Sequence, residues 1–211
     1  RARRILVEWP RLTWRDPNMD YPQGADILWP PLFDAVIAGA ARLVGAAADR
    51  PERLAEAAAL VPVLFGLALL PTVAALARAF LGGRAGILSA LLVALLPASL
   101  RFSSVGTADQ HVAELLFATW MVYGFVRTWS DGAGAAGRLA TGLLAGATVL
   151  AFWNWQGSAL ALFPLVLWAG VWHVVAPPGD ITSRRALHGL AWGSAGATAV
   201  LAATVAAWGP P

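Results

Sequence analysis

Long apolar segments with very few charges are the feature that most constrains how this sequence can fold. Of its 211 residues, 58% are hydrophobic and only 13% are charged, which is too apolar for an ordinary soluble domain. Backbone groups inside a bilayer must find their hydrogen bonds within the chain, so such segments cross it as helices. The sequence therefore predicts an all-α fold, a polytopic transmembrane helix bundle. The predicted helices, about six spans, cover 55–77, 85–100, 112–126, 139–152, 158–175 and 187–207.

The N-terminal part of the chain differs from this bundle in composition. Residues 1–29 are polar, aromatic and rich in turn-forming Pro and Gly, which predicts a structured loop at a membrane interface. Residues 31–48 have a helical period, but Asp34 and Arg42 near the middle would be costly in lipid. We therefore expect an amphipathic helix that lies in the interface without crossing it. Asp34 itself is expected to be a surface or capping group.

The positions of the arginines predict the orientation of the bundle. Three short loops each carry two arginines, and the helix count places these loops on one side of the membrane, which marks the cytoplasm. The opposite loops then face outward, although helix parity alone leaves open the side of residues 1–29. The prediction is a multi-pass cell-membrane protein with an external loop over 1–54 and a transmembrane bundle over 55–211. The arginine pairs are Arg78 with Arg84, Arg127 with Arg138, and Arg184 with Arg185.

One polar segment, 103–114, interrupts the apolar segments. It holds three ionisable residues within six positions, Asp109, His111 and Glu114. Ionisable side chains at the edge or in the interior of a membrane are costly unless they face water, a metal or a partner. We therefore treat this segment, on the predicted external side, as the candidate functional site.

The residue types in this segment suit two interpretations. A carboxylate and an imidazole, such as Asp109 and His111, are suitable ligands for Mn²⁺ or Mg²⁺ when waters and further carboxylates complete the shell. The other interpretation, favoured when these residues are considered alone, is structural. Asp109 would cap the following helix, His111 would be an interfacial side chain, and Glu114 would be a first-turn acid favoured by the helix dipole.

Three motifs, in order and with helices between them, resemble a known family. They are similar to the first external loop and the second acidic motif of the catalytic subunit of oligosaccharyltransferase, particularly its archaeal and related bacterial forms. The likeness runs from residue 1 to about residue 155 and includes Trp153-Asn-Trp-Gln-Gly157. The motifs are Asp16-Pro-Asn-Met-Asp-Tyr-Pro-Gln-Gly24, Leu28-Trp-Pro-Pro-Leu-Phe-Asp34 and Arg101-Phe-Ser-Ser-Val-Gly-Thr-Ala-Asp-Gln-His-Val-Ala-Glu114.

This resemblance implies a metal-dependent glycosyltransferase with the GT-C fold. Such an enzyme transfers an oligosaccharide from a polyprenyl (pyro)phosphate carrier to the Asn of an Asn-x-Ser/Thr sequon in an acceptor polypeptide. By position, Asp109 and His111 would be the ligands of Mn²⁺ or Mg²⁺, and Glu114 would be a supporting catalytic residue. The expected partners are the polyprenyl-linked oligosaccharide, the acceptor polypeptide and the lipid bilayer. No basic run with interleaved aromatic residues indicates nucleic-acid binding.

Two further residues are candidates for substrate binding. Arg101 would meet a lipid phosphate at the external surface, but an arginine that ends a membrane helix is also a common snorkelling anchor. Trp29 would line the active-site cavity, or else anchor its loop at the membrane interface.

The sequence also departs from the family pattern. The first acidic motif is expected just upstream of Arg1, and the sequon-reading C-terminal soluble domain is expected downstream. We therefore expect the chain to be a fragment that lacks the first span and this domain, and to be inactive on its own. Leu28 stands where close relatives often carry a polar residue, which puts any contribution from that position in doubt.

Two alternative functions remain open. The first is another glycosyltransferase of the same fold that uses polyprenyl-phosphate sugars but modifies a different acceptor. The second is a transporter-like membrane protein, although transporters place ionisable groups near the bilayer midplane, whereas here they gather at one face. Because the sequence has no cysteine, disulfides and thiolate chemistry are excluded.

Overall fold

A computed structural model of the protein describes residues 1–46, 50–131, 134–177 and 180–208, without the side chain of Pro51. The described chain is mainly helical, with one two-stranded antiparallel hairpin and one turn of 3₁₀ helix at Gln156–Ser158. The hairpin strands are β1 (Arg15–Asp16) and β2 (Ala25–Asp26). The helices are α1 (Ala2–Glu8), α2 (Leu32–Leu43), α3 (Pro51–Leu81), α4 (Gly83–Leu95), α5 (Pro97–Ser103), α6 (His111–Ser130), α7 (Ala135–Asn154), α8 (Ala159–Val175) and α9 (Thr182–Trp208).

The predicted all-α bundle is confirmed, with one helix divided differently. The helix predicted over 85–100 is broken into α4 and α5, which meet at an angle of 66°. Pro97 explains the break, because it lacks a backbone N–H and disfavours a helical conformation in the residue before it. Leu96 accordingly has an extended backbone, with φ −67° and ψ 124°.

Length and composition identify most of the predicted membrane spans. Within the described residues, four helices are long and apolar enough to cross, namely α3, α7, α8 with its preceding turn, and α9. The bent pair of α4 and α5 passes the same test as a fifth. The predicted span at α6 is not among them, because ionisable residues lie near both its ends. Its crossing stays a prediction.

α6 is the central helix of the bundle. It packs against α3 and α7 over most of its length and also touches α5, α8 and α9. A small residue permits a close approach to α7, because a Cβ added at Gly124 would lie 2.8 Å from the backbone nitrogen of Leu144. The buried residues of α6 are Val112, Ala113, Leu116, Phe117, Met121, Gly124, Phe125 and Thr128.

The N-terminal region contains a helix, α1, that the predicted structured loop did not include. α1 packs on α2, and a buried arginine ties the turn-rich segment to both. The Arg1 guanidinium donates to the carbonyls of Thr13, at 2.7 Å, and Trp29, at 2.6 Å. It also lies 3.8 Å from Asp34 Oδ2. These contacts fix residues 1–29 against the start of α2.

Asp34 is not the surface or capping group that the sequence suggested. Its side chain is only 22% exposed and faces Arg1. Burial raises the pKa of Asp34, and the attraction of Arg1 opposes that shift. α2 itself has 12 residues, about 18 Å of helix, which is shorter than the ~30 Å core of a bilayer. The predicted end of this helix at residues 47 and 48 lies outside the described residues, and the division of the chain at residue 54 stays a prediction.

The contact between α6 and α7 yields a stability test. Replacing Gly124 with Ala forces a methyl group against the backbone of Leu144, and we expect a loss of about 1–3 kcal/mol from overpacking. Gly142→Ala is the matched control on α7, since nothing lies within 4 Å of a Cβ there. That substitution should leave stability unchanged or raise it by up to about 1 kcal/mol. Thermal unfolding in detergent measures both variants, and equal midpoints would contradict the close approach.

Candidate functional site

The polar loop between α5 and α6 is anchored to the bundle by its backbone. The N–H of Gly106 donates to the carbonyl of Ala59 in α3, at 3.2 Å. Gly106 has φ +88°, a conformation that residues with a side chain rarely adopt. The N–H of Asp109 then donates to the carbonyl of Thr107, at 2.8 Å, which closes the loop before α6 begins. The loop therefore presents Asp109 at a fixed place beside the start of α6.

The three ionisable residues of the predicted site lie together at the first turn of α6. Asp109 Oδ1 accepts a hydrogen bond from the N–H of His111, at 3.2 Å. His111 Nδ1 lies 3.1 Å from Glu114 Oε2. The other ring nitrogen, Nε2, is 3.8 Å from Asp109 Oδ1, too long for a hydrogen bond. Glu114 therefore holds the imidazole at Nδ1, while Asp109 bonds the backbone of His111 and lies on the Nε2 side of the ring.

This arrangement determines which nitrogen of His111 is available. Because a carboxylate can only accept a hydrogen bond, Glu114 favours the tautomer in which Nδ1 carries the proton. The lone pair then lies on Nε2, which faces Asp109. The three side chains remain open to solvent, since Asp109 is 40%, His111 46% and Glu114 26% exposed.

An apolar cavity of about 440 Å³ adjoins these residues, between α3, the bend of α4 and α5, and α6. His111 and Glu114 form part of its wall, together with Leu69, Phe102 and Leu115. The Phe102 ring meets the His111 ring edge-on, with 5.0 Å between their centroids. The site is thus polar towards the loop and apolar towards the helices.

The two predicted substrate-binding residues occupy different surroundings. Arg101 is exposed in the last turn of α5, with its guanidinium carbon 5.9 Å from the centroid of Phe102, the ring that contacts His111. Trp29 is half-buried in the N-terminal segment, where its carbonyl accepts from Arg1. The ring of Trp29 is not among the groups that line the cavity beside His111. Arg101 does not line the cavity either, but it contacts Phe102, which is part of the cavity wall.

Hydrogen bonds from residues 154 and 156 reach two of the three sequence motifs at the same end of the bundle. Asn154, at the end of α7, donates its Nδ2 to the carbonyl of Gln110, at 3.4 Å. Gln156, two residues later, donates to the carbonyl of Leu28, at 3.3 Å. The segment after α7 thus bridges the N-terminal loop and the start of α6.

Asn154 is a structural residue of the site to which the sequence assigned no role. It is completely buried, and within the described residues its Oδ1 has no hydrogen-bond partner. A fully buried amide is costly unless it makes hydrogen bonds. Its sequence signals were a polar residue at the end of an apolar helix and its place in the family-like segment 153–157, and neither assigned it a structural role.

The donor set of the site fits part of a metal centre. Among the described residues, no three His, Asp or Glu side chains are arranged to hold a metal ion by themselves. The site does offer Asp109 Oδ1 and His111 Nε2 on the same side, with Glu114 behind the imidazole. A carboxylate that accepts the second N–H of a metal-binding histidine is the usual support for such a ligand. The residues therefore suit a site completed by further ligands.

A bundle of apolar helices with its ionisable residues gathered at helix ends defines a multi-pass membrane protein. The family model described as "Oligosaccharyl transferase STT3, N-terminal" matches residues 5–205. The chain therefore belongs to this oligosaccharyltransferase family, and the resemblance detected in its motifs is confirmed.

Solved structures of an archaeal enzyme share the fold. The oligosaccharyltransferase AglB from Archaeoglobus fulgidus, in complex with an inhibitory peptide and a dolichol-phosphate, is 22% identical to the chain, with a TM-score of 0.78. The match covers 92% of this chain and 24% of AglB. The apo form of the Archaeoglobus fulgidus enzyme is 20% identical over 96% of this chain and 24% of that one, with a TM-score of 0.75.

In a further structure of this archaeal enzyme, the match covers a larger share of the solved chain. The complex of the Archaeoglobus fulgidus oligosaccharyltransferase with Zn and sulfate is 20% identical, with a TM-score of 0.69, over 93% of this chain and 30% of that one. The chain therefore spans less than a third of these proteins, and the likeness shows the fold. Among curated protein sequences, none matches the chain significantly.

The bridge made by Asn154 can be tested by removing its amide. Asn154→Ala removes this bond, although the carbonyl of Gln110 keeps a second donor in the N–H of Glu114, at 3.0 Å, and we expect a loss of about 0.5–1.5 kcal/mol. Gln156→Ala removes a similar bond at an exposed position and should change stability by less than about 0.5 kcal/mol. Thermal unfolding measures both, and hydrogen exchange at residues 110–114 should accelerate only in the Asn154 variant. Equal effects of the two substitutions would contradict the buried bridge.

Proposed function

We propose that the chain is part of a membrane oligosaccharyltransferase that acts in protein N-glycosylation. The enzyme transfers an oligosaccharide from a polyprenyl (pyro)phosphate carrier to the Asn of a sequon. The observation that carries this proposal is the arrangement of Asp109, His111 and Glu114 at the start of α6, in a chain of this family. Further support comes from AglB, a protein of the same fold that was solved with an inhibitory peptide and a dolichol-phosphate.

In this proposal, Asp109 and His111 hold a divalent cation. Asp109 supplies a carboxylate oxygen and His111 supplies Nε2, while further ligands complete the site. An Archaeoglobus fulgidus relative has been solved with Zn. We assign Mn²⁺ or Mg²⁺ here, because carboxylate and water ligands suit these ions. The bound ion would neutralise the charge that develops on the departing phosphate.

Glu114 acts in this proposal through His111. It lies three positions after the histidine, so the helix places both side chains on the same face. Its carboxylate holds the proton on Nδ1 and fixes the ring plane. Phe102 restricts the ring from the cavity side, with 5.0 Å between the centroids. Together these contacts keep Nε2 directed at Asp109 before a substrate arrives.

The surroundings of the metal ligands suit a lipid-linked substrate. The cavity beside His111 is lined largely by apolar groups of α3, α5 and α6 and opens at the bundle surface, which suits the apolar chain of the carrier. Arg101 is exposed next to Phe102 and would contact the carrier phosphate. Trp29 would bind substrate from the neighbouring loop, which Gln156 attaches to the same end of the bundle through the carbonyl of Leu28.

We assign this end of the bundle to the external face of the cell membrane. The assignment rests on the arginine-rich loops at the other end, which typically remain in the cytoplasm. A structural observation supports the separation of the two ends. Arg127 lies 16 positions after His111 within α6, roughly 24 Å along the helix axis.

The experiment uses the full-length gene product in membranes, with a polyprenyl-linked oligosaccharide and a sequon peptide. We expect Asp109→Ala and His111→Ala each to lower Mn²⁺-dependent turnover by more than about 100-fold, since each removes a metal ligand. Glu114→Gln should lower turnover by about 10–100-fold and be partly rescued by excess Mn²⁺, because it weakens the support of a ligand.

Glu56→Gln is the matched control, because Glu56 is an exposed carboxylate on α3 that pairs only with Arg53 among the described residues. Its turnover should equal that of the wild type. Unchanged turnover in both the Asp109 and the His111 variants would show that these residues do not act in catalysis. Full activity in the absence of any divalent cation would show that the reaction does not need a metal ion.

A further inference from the structure

A second cavity lies at the other end of α6, between α3, α4 and α6. Its volume is about 930 Å³, and three arginines line it. We call it the basic groove and define it by Arg78, Arg84, Arg127, Tyr123 and the apolar residues Pro71 and Ile87. The catalytic proposal does not use this groove.

The three arginines of the basic groove differ in whether an acidic side chain neutralises them. Arg127 is neutralised and fixed, because its Nη2 lies 2.7 Å from Asp131 Oδ2 and its Nη1 donates to the Tyr123 hydroxyl at 3.0 Å. Arg78 and Arg84 are exposed and, within the described part of the chain, have no side-chain partner. Among the residues that the structure describes, no acidic side chain lines the groove. Two uncompensated positive charges therefore remain at its rim.

The local backbone adds further attraction for an anion. Arg84 lies in the first turn of α4, where no side chain caps the free backbone N–H groups. The positive end of the helix dipole also lies there, so a cation at this position is unfavourable in the absence of a negative charge. An anionic group in the groove would thus meet Arg78, Arg84 and the start of α4 together.

The walls of the groove continue into a surface suited to hydrocarbon. Next to Arg84 and further along α4, Ile87 is 65%, Leu88 60% and Leu91 54% exposed. Close packing of α3 and α4 shapes the floor, since a Cβ at Gly86 would lie 2.7 Å from the carbonyl oxygen of Ala74. A ligand that fits these features has an anionic head and an apolar tail.

We propose that the basic groove binds one anionic glycerophospholipid from the leaflet opposite the catalytic end. Arg78 and Arg84 contact its phosphate, which the guanidinium group can bind through two parallel hydrogen bonds. Its acyl chains lie along Ile87 and Leu91 of α4. Basic pockets between membrane helices are suited to anionic head groups. A bound lipid of this kind would join α3 to α4 at the end of the bundle distant from His111.

General attraction to a charged membrane surface is the simpler explanation that the experiment must separate from a specific site. Any arginine near the surface attracts anionic lipid. Arg138 and Arg184 lie on the same predicted side, are exposed and do not line the groove. The double variant R138Q/R184Q therefore removes as much charge as R78Q/R84Q, but leaves the groove intact.

The test is native mass spectrometry of the full-length protein, purified in a neutral detergent and titrated with phosphatidylglycerol or phosphatidylcholine. We expect one phosphatidylglycerol to bind more tightly than phosphatidylcholine. R78Q/R84Q should weaken phosphatidylglycerol binding by about tenfold or more, whereas R138Q/R184Q should weaken it by less than about twofold. Because R78K/R84K keeps the charges, it should retain more affinity than R78Q/R84Q.

Three results would overturn the proposal. The first is an equal loss of affinity in the two double Gln variants, which would indicate general surface attraction. The second is equal binding of the two lipids by the wild-type protein. The third is displacement of phosphatidylglycerol by excess inorganic phosphate, which would indicate a site for a soluble anion. Unchanged thermal unfolding of R78Q/R84Q would show that its loss of affinity is local.

Discussion

The structure depends on the absence of water in the hydrocarbon core of a bilayer. Backbone groups there must be satisfied within helices, and ionisable side chains are driven towards the helix ends. In α6, whose crossing is a prediction, His111 and Glu114 lie at the beginning and Arg127 near the end, with buried apolar residues between them. The position of Gly124 against Leu144 then lets α7 pack closely on this central helix.

The geometry of the candidate site follows from that packing. His111 and Glu114 keep their spacing because they share the first turn of a helix that is held on several sides. Asp109 is placed by a loop that bonds to α3, and the carbonyl of Gln110 is held by Asn154 of α7. Three helices, α3, α6 and α7, thus position the polar groups of the site, which makes its chemistry dependent on the fold.

Sequence patterns predicted the helices and the cluster at 109–114, because hydrophobicity and spacing are local signals. The break at Pro97 was missed, since Pro62 and Pro71 lie inside the continuous helix α3 and proline alone does not determine a break. The ion pair of Arg1 and Asp34 joins residues far apart in the chain. Such partners depend on tertiary packing, which the spacing of residues along the chain does not specify.

The central claim is that His111 and Asp109 together hold a divalent cation. Pulsed electron paramagnetic resonance of Mn²⁺ bound to the full-length protein tests it most directly, because an imidazole ligand produces modulation from its nitrogen. We expect nitrogen modulation in the wild-type protein that disappears in His111→Ala, and weaker Mn²⁺ binding in Asp109→Ala. Modulation that persists in His111→Ala, or none in the wild type, would contradict the claim.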